Sequence, residues 1–362
     1  MNKDKEKSSL RYVQENGVRI FCLMGNSSEF PMRQNNPAVE NRLPLRVGLY
    51  RYDDESISIS GACDRAKIAC DSGRNNYESR VYEFSEAMMK ALEKKQYIVE
   101  NFDKALREGW IQPYYQPAIR TANSKICAEE TLARWQDPEK GMLNPADFIP
   151  ALEEANCIHK LDLYVLDRML EKMNAQADAG YDVVPHSVNL SRLDFYACDI
   201  VDEIRNRVDA MNISRDRVIV EITESVIASD IHFMTKEIKR FKELGFMVWM
   251  DDYGSGYSSP EILQDLPFDV VKIDRLFVQN IENSSKSKII LAEIIKMAIS
   301  LGMDTIAEGV ETIEQVNFLK EIGCTMLQGF YYCKPLQFTE IMQKNCKEKQ
   351  LKYEIEAIEC CR

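Results

Sequence analysis

The sequence predicts an α/β fold, a modified TIM-type (β/α)8 barrel over residues 111–345 whose first strand runs antiparallel to the rest. A small truncated α+β segment precedes it. Three observations carry this reading. Short apolar runs alternate with longer amphipathic segments from about residue 111 onward. The first two runs are separated only by "RTANSK", too short for a parallel crossover, so they must pair as a hairpin. Polar side chains recur at the same end of successive runs.

Taken in order, residues 1–85 open with mixed sequence. "MGNSSEFPMRQNNPAVENRLP" is rich in Asn, Ser and Pro and reads as loop. "RVGLYRY" reads as a strand, and "CDRAKIACDSGRNN" as a short helix ending in a Gly/Asn turn. Residues 86–110 carry apolar positions at helical spacing and form a helical linker of one or two helices. The barrel runs follow: "IQPYYQPAI", "ICAEETLARW", "VPHSVNL", "VIVEIT", "FMVWMD", "FDVVKID", "DTIAEGV" and "CTMLQGFYY". Between them lie helical patterns such as "HFMTKEIKRFKELG" and "KIILAEIIKMAISLG", each closed by Gly as helix C-termini often are. Residues 346–362 form a C-terminal tail.

The chain has 362 residues, 45% of them hydrophobic, which is too apolar for a disordered protein. A net charge of -12 offers no global field for DNA, RNA or an anionic membrane, so an anionic ligand must be met by local Arg, Lys or metal. The 11 cysteines and 3 histidines show no zinc-ligand spacing and read as reduced thiols of a cytoplasmic protein. No apolar run has the length of a membrane span, and the N-terminus lacks a signal-peptide core.

The ends of the runs hold the chemistry. The second carries Glu130; the third ends at Asn189; the fourth holds Glu221; the fifth ends at Asp251 and Asp252. Lys272, Glu308 and Gln328 lie on the last three. These residue types are unfavourable inside strands. A barrel gathers its C-terminal strand ends at one mouth, where active sites sit. Carboxylates that close need a cation. Oxygen-only donors favour Mg²⁺ or Mn²⁺, and their number points to two ions with Asp251 bridging. Two ions about 3.5–4 Å apart suit hydrolysis of a phosphate ester. Lys272 would fix the attacking water or neutralise charge on phosphorus. Arg134 shares a face with Glu130 and Leu132 and can fork onto a phosphate. A single acid at a strand end is more often a helix cap or salt-bridge partner, and Trp135 and the tyrosines of "YYQP" read as packing. The weight lies in seven consecutive runs presenting an acid, amide or amine at one end.

Those runs resemble, in order, the motifs of the EAL-domain family, the bacterial cyclic di-GMP phosphodiesterases. "YYQPAI", "AEETLARW", "SVNLS", "EITES", "MDDYGSGYSS", "VKIDR", "AEGVET" and "LQGFYYCKP" match over residues 95–340. The departures are mild: Thr131 replaces the Ala of the naming motif, Tyr253 a Phe and Ser255 a Thr. The resemblance implies hydrolysis of cyclic di-GMP to linear 5'-pGpG. It also implies that Glu130, Asn189, Glu221 and Asp251 hold a first metal and Asp251 and Asp252 a second. Lys272 and Glu308 would orient and activate water, either serving as base. Gln328 would meet the metal's water shell. Glu224 would anchor the loop after Asp252, which reads as mobile, and Gln116, Leu132 and Arg134 would contact substrate. A homodimer is expected on the same ground. The alternatives are a catalytically silent EAL protein that binds cyclic di-GMP and acts through protein contacts, and a barrel lyase using one Mg²⁺. The complete ligand set argues against the first, and the adjacent aspartates and the whole motif series disfavour the second. More weakly, "RVGLYRYDDESISISGACDRAKIACDSGRNN" resembles the last third of a GGDEF diguanylate cyclase domain. It lacks the signature and, by this reading, the preceding sheet, which implies a remnant without synthetic activity.

Overall fold

The computed structural model describes residues 9–15, 18–26, 45–52, 56–73, 80–254, 260–281 and 284–341. The chain divides into two units after Ile98, inside a single helix, Glu86–Arg107.

In the first unit a four-stranded sheet runs in the order β1 (Ser9–Glu15), β2 (Val18–Asn26), β3 (Leu45–Tyr52), β4 (Arg80–Glu83). The first two pairings are antiparallel; β3 and β4 are parallel, joined by the helix Ile59–Ser72. Ser58 caps that helix by accepting from the Gly61 N–H, and Gly73 ends it. Ala62 and Ala66 pack with Tyr50 of β3. A Cβ on Gly48 would lie 2.0 Å from the Ala66 carbonyl oxygen, so only glycine lets the helix settle this closely on the strand. Two expectations change here. A sheet precedes "RVGLYRY" after all, because the opening segment supplies β1 and β2, whose alternation the surrounding charges obscure. Of the segment read as loop, Met24–Asn26 belong to β2, and residues 27–44 lie outside the described residues.

The second unit is the barrel. Its strands are β5 (Ile111–Arg120), β6 (Ile126–Asp137), β7 (Gly141–Leu143), β8 (His186–Leu190), β9 (Val218–Thr223), β10 (Met247–Tyr253), β11 (Val270–Ile273), β12 (Asp304–Ala307), β13 (Met326–Leu327) and β14 (Leu336–Gln337). The sheet order is β14-β5-β13-β12-β11-β10-β9-β8-β6-β7, and a further β5–β6 pairing closes eight strands into a ring. β5 is antiparallel to both β6 and β13, as the short "RTANSK" connection requires, whereas β6 and β8–β13 pair in parallel through their crossovers. The hairpin turns on Ser124 at φ 56, with Asn123 Oδ1 accepting from the Lys125 N–H. β7 and β14, not foreseen, extend the sheet by short antiparallel pairings on β6 and β5.

Strand residues alternate between two faces. On one face Val188, Val220, Ile222, Val248, Met250 and Val271 pack against helices through Met169, Ile204, Ile238 and Phe241. On the other, Ala118, Ala128, Ile219, Trp249, Val270, Ile306 and Met326 form a buried cluster. Two alanines there leave room for the Trp249 ring. Trp135 lies between Phe102 and Phe148 as a packing residue. Among the described residues Cys63, Cys70, Cys127, Cys157, Cys198 and Cys324 are free thiols, but Cys333 is disulfide-bonded, so uniformly reduced thiols do not hold at that position. No helix among the described residues is long and apolar enough to cross a membrane.

Candidate active site

Two residues beyond six of the seven members of the interior apolar cluster, on the same strand or just past its end, stands a polar residue. Ala128 is followed by Glu130, Ile219 by Glu221, Trp249 by Asp251, Val270 by Lys272, Ile306 by Glu308 and Met326 by Gln328. On β8 Asn189 follows Ser187. On β5, which runs the other way, Gln116 precedes Ala118 by two. The period of 2 therefore stacks a ring of eight polar residues, one per strand, directly on the apolar layer.

Lys272 is the hub. Its Nζ lies 2.7 Å from Glu221 Oε2, 2.7 Å from Glu308 Oε1, 3.0 Å from Asp251 Oδ1 and 3.5 Å from Glu130 Oε1, with its side chain 1% exposed. Gln328 Nε2 donates to Glu130 Oε2 at 2.6 Å and to Gln116 Oε1 at 3.3 Å, and Asn189 Nδ2 donates to Glu130 Oε1 at 3.2 Å. Gln116 Nε2 in turn donates to the Cys333 carbonyl at 3.0 Å.

Asp252 joins the ring by a departure from strand geometry. Neighbouring strand residues point to opposite faces, which would turn Asp252 away from Asp251. The β10–β11 register shifts between Met250 and Tyr253, and Asp252 adopts φ 55. A bulge with a left-handed non-glycine residue costs on the order of 1–3 kcal/mol. It brings ligand oxygens of Asp251, Asp252 and Glu308 within 4.8 Å of one another.

The electrostatics follow from crowding. Burial drives Glu308 well above the usual carboxylate range, with Asp251 and Glu130 adding to it and Lys272 opposing. Burial likewise pushes Glu221 up to about 8, and burial with Asp251 pushes Asp252 up to about 6. Glu130 moves the other way: burial is outweighed by Lys272 and by the Gln328 and Asn189 amides, which hold it low. Lys272 is held well above its ordinary value, burial notwithstanding, by Asp251, Glu130, Glu221 and Glu308. Glu221 Oε1 is buried with no hydrogen-bond partner among the described residues. All-oxygen donors, an orphaned carboxylate oxygen and four acids around one ammonium fit a hard divalent cation.

The flanking residues fall as follows. Glu224 begins the helix Glu224–Ser229, and its Oε2 accepts from the Gly254 N–H at 3.2 Å, tying that helix to the chain just past Asp252. Residues 255–259 of the loop read as mobile, Ser255 among them, lie outside the described residues. Leu132 and Arg134 lie two and four residues beyond Glu130 on β6. Arg134 donates to the Ala133 carbonyl, with its guanidinium carbon 5.9 Å from the centre of the Tyr114 ring. Sequence reasoning did not group Glu308 with the cation ligands. It also missed a buried cluster behind the strands, Glu129, Lys172 and His186. A lysine on the apolar stripe of the helix Ile158–Asp178, with Val165 and Met169, was the available signal.

Residues 99–335 match the EAL domain family, and this chain belongs to that family. It is 32% identical over 294 residues to the cyclic di-GMP phosphodiesterase NbdA of Pseudomonas aeruginosa, covering 80% of this chain and 37% of that protein. It is 30% identical over 311 residues to the bifunctional diguanylate cyclase/cyclic di-GMP phosphodiesterase MucR of the same organism, covering 84% of this chain and 44% of that protein. The chain thus spans less than half the length of either relative. Among solved structures, the PaMucR phosphodiesterase in its c-di-GMP complex is similar with a TM-score of 0.64 and 31% identity, over 66% of this chain and 97% of that one.

Proposed function

We propose that this chain hydrolyses cyclic di-GMP to linear 5'-pGpG with Mg²⁺ or Mn²⁺. The observation that carries the reading is the complete eight-residue ring, in which four carboxylates face the single ammonium of Lys272. Glu130, Asn189, Glu221, Asp251, Asp252 and Glu308 would hold two divalent cations. Bound there, such ions would supply positive charge to the phosphoryl oxygens and acidify water. The remaining work falls to the chain. Lys272, fixed by its carboxylate partners, holds a proton donor at the floor of the site. Burial raises the proton affinity of Glu308, and the pH–rate profiles of Glu308→Gln and Lys272→Met would show which group acts as base. Gln328 orients Glu130 and is itself held by donating to Gln116. Arg134, at the mouth, meets a substrate phosphate, with Leu132 and Gln116 against the nucleotide.

The test is the full chain with Mg²⁺ or Mn²⁺ and cyclic di-GMP, the product separated by chromatography. Linear dinucleotide is expected from wild type and none from Glu130→Ala or Asp251→Asn. Wild type that binds cyclic di-GMP without cleaving it with either ion would make the chain a sensor. A cytoplasmic location and pairing with a second copy belong to the same proposal. The N-terminal unit we read as a cyclase-like remnant: its β3–helix–β4 crossover carries the GGDEF-like sequence without the signature, and incubation with GTP is expected to yield no cyclic di-GMP.

A further inference from the structure

On the outer face of β5, β6 and β8, directly behind the ring, lies a second set of buried charges. Glu129 precedes Glu130 on β6, so its side chain leaves the strand on the opposite face. Tyr115 stands in the same relation to Gln116 on β5, and His186 lies three residues before Asn189 on β8. Lys172, from the helix Ile158–Asp178, reaches all three. Its ammonium pairs with Glu129 Oε2, lies 2.6 Å from His186 Nε2, and sits 4.0 Å from the centre of the Tyr115 ring. His186 Nδ1 is 2.8 Å from the Val184 carbonyl, which fixes the tautomer: Nδ1–H donates there and Nε2 accepts from Lys172. His186 Nε2 and Glu129 Oε2 are 2.9 Å apart, with the ammonium serving both. Lys172, Glu129 and His186 are all nearly inaccessible, with side chains 2%, 4% and 0% exposed.

We propose that Lys172 is a positioning residue for the cation site, an ionic rivet that fixes the strands carrying Gln116, Glu130 and Asn189 relative to one another. This rests on the reading of the ring as a cation-binding phosphodiesterase site. Three strands that each present one ring residue are cross-linked on their opposite face by a single ammonium from one helix, one residue from the ring position on β5 and β6 and three on β8. A packed apolar core would hold the strands together as well. A charge with three partners at fixed distances also sets their mutual register, and groups that orient metal ligands from behind commonly control metal affinity tenfold or more.

The experiment uses the full chain stripped of metal and the charge-neutral double variant Glu129→Leu/Lys172→Met, titrated with Mn²⁺ by calorimetry and melted in parallel. Replacing a buried pair with apolar groups of similar size often leaves stability near wild type. The expected result is a thermal midpoint close to wild type with Mn²⁺ affinity weakened by about tenfold. Mn²⁺ affinity within about twofold of wild type, the same midpoint retained, would overturn the assignment and leave the cluster a structural pair. If the double variant melts well below wild type, amide exchange in the cold decides. Faster exchange confined to β5, β6 and β8 supports the rivet; uniform loosening of the barrel overturns it. Wild type that takes up no Mn²⁺ fails the cation-site reading itself in the same titration, and the assignment falls with it.

Discussion

The barrel unit buries two lysines among the described residues, Lys272 inside the strand ring and Lys172 behind β5, β6 and β8, and they live in opposite electrostatic conditions. Lys172 has one carboxylate, one imidazole and one aromatic face; burial dominates and moves its pKa below the ordinary value, with Glu129 opposing. Lys272 has four carboxylates, which override burial and move it well above. One group is balanced, charge for charge. The other has three more acids than its ammonium can neutralise, before Asp252 is added. A balanced buried cluster needs nothing further and suits a structural joint. An unbalanced one is costly to bury and persists where a diffusible cation completes it. The imbalance, rather than burial or pKa shift alone, separates the candidate cation site from its scaffold.

The strongest test of that contrast is Lys272→Met. Without the ammonium the ring acids are buried and unpaired, and the metal-free protein should lose about 3–5 kcal/mol of stability. Mn²⁺ should restore much of it, because the cation takes over the neutralising role, while turnover falls by roughly a hundredfold or more. A Lys272→Met protein whose melting ignores Mn²⁺ would break the contrast. Glu224→Ala comes next. It removes the acceptor of the Gly254 N–H without touching the ring, so turnover should drop by about tenfold while Mn²⁺ still raises the melting temperature as in wild type. Unchanged turnover would remove Glu224 from the loop anchor.

The smallest effect probes a third buried acid group. Asp162 lies beside Asp194, whose Oδ2 accepts from the Ser191 N–H at 2.6 Å just beyond Asn189. Burial, with Asp194 beside it, puts Asp162 well above the usual range, and burial lifts Asp194 to about 7. Both shifts are upward, so the folded chain binds more protons than the unfolded one. Stability from this pair is full below about pH 4 and is lost progressively as pH rises through 7. Asn at 162 donates permanently. Asp162→Asn should therefore be more stable than wild type by on the order of 1 kcal/mol at pH 7.5, the gain vanishing toward pH 4. Urea melts across that range check the sign.

Much of this site was legible because strand periodicity is rigid. Once the runs were placed, a polar residue two positions past an apolar one had to face the same way, and the short "RTANSK" connection forced β5 to reverse. The bulge at Asp252 was not legible: nothing in "WMDDYG" says which aspartate leaves the strand geometry. Nor was the grouping of Glu308 with Asp251 and Asp252, which depends on that bulge. Glu129 and Lys172 were hidden because a lysine's partner across a helix–sheet interface is set by packing, and their separation of 43 residues gives no local pattern. β1 and β2 were missed because the charges around them mask a weak alternation.

The reversed strand has a consequence for how the molecule comes into being. β5 is made first among the eight ring strands, yet the ring closes through its pairing with β13, the last of the eight; the Gln328–Gln116 hydrogen bond spans 212 residues of chain. Glu130, Asn189, Glu221 and Asp251 all leave the ribosome before Lys272, and all of them before Gln328. The complete ring can therefore form only after β13 has been made. Its closure is a single late event of high contact order, the kind that folds slowly and leaves nascent chains waiting for their final strand.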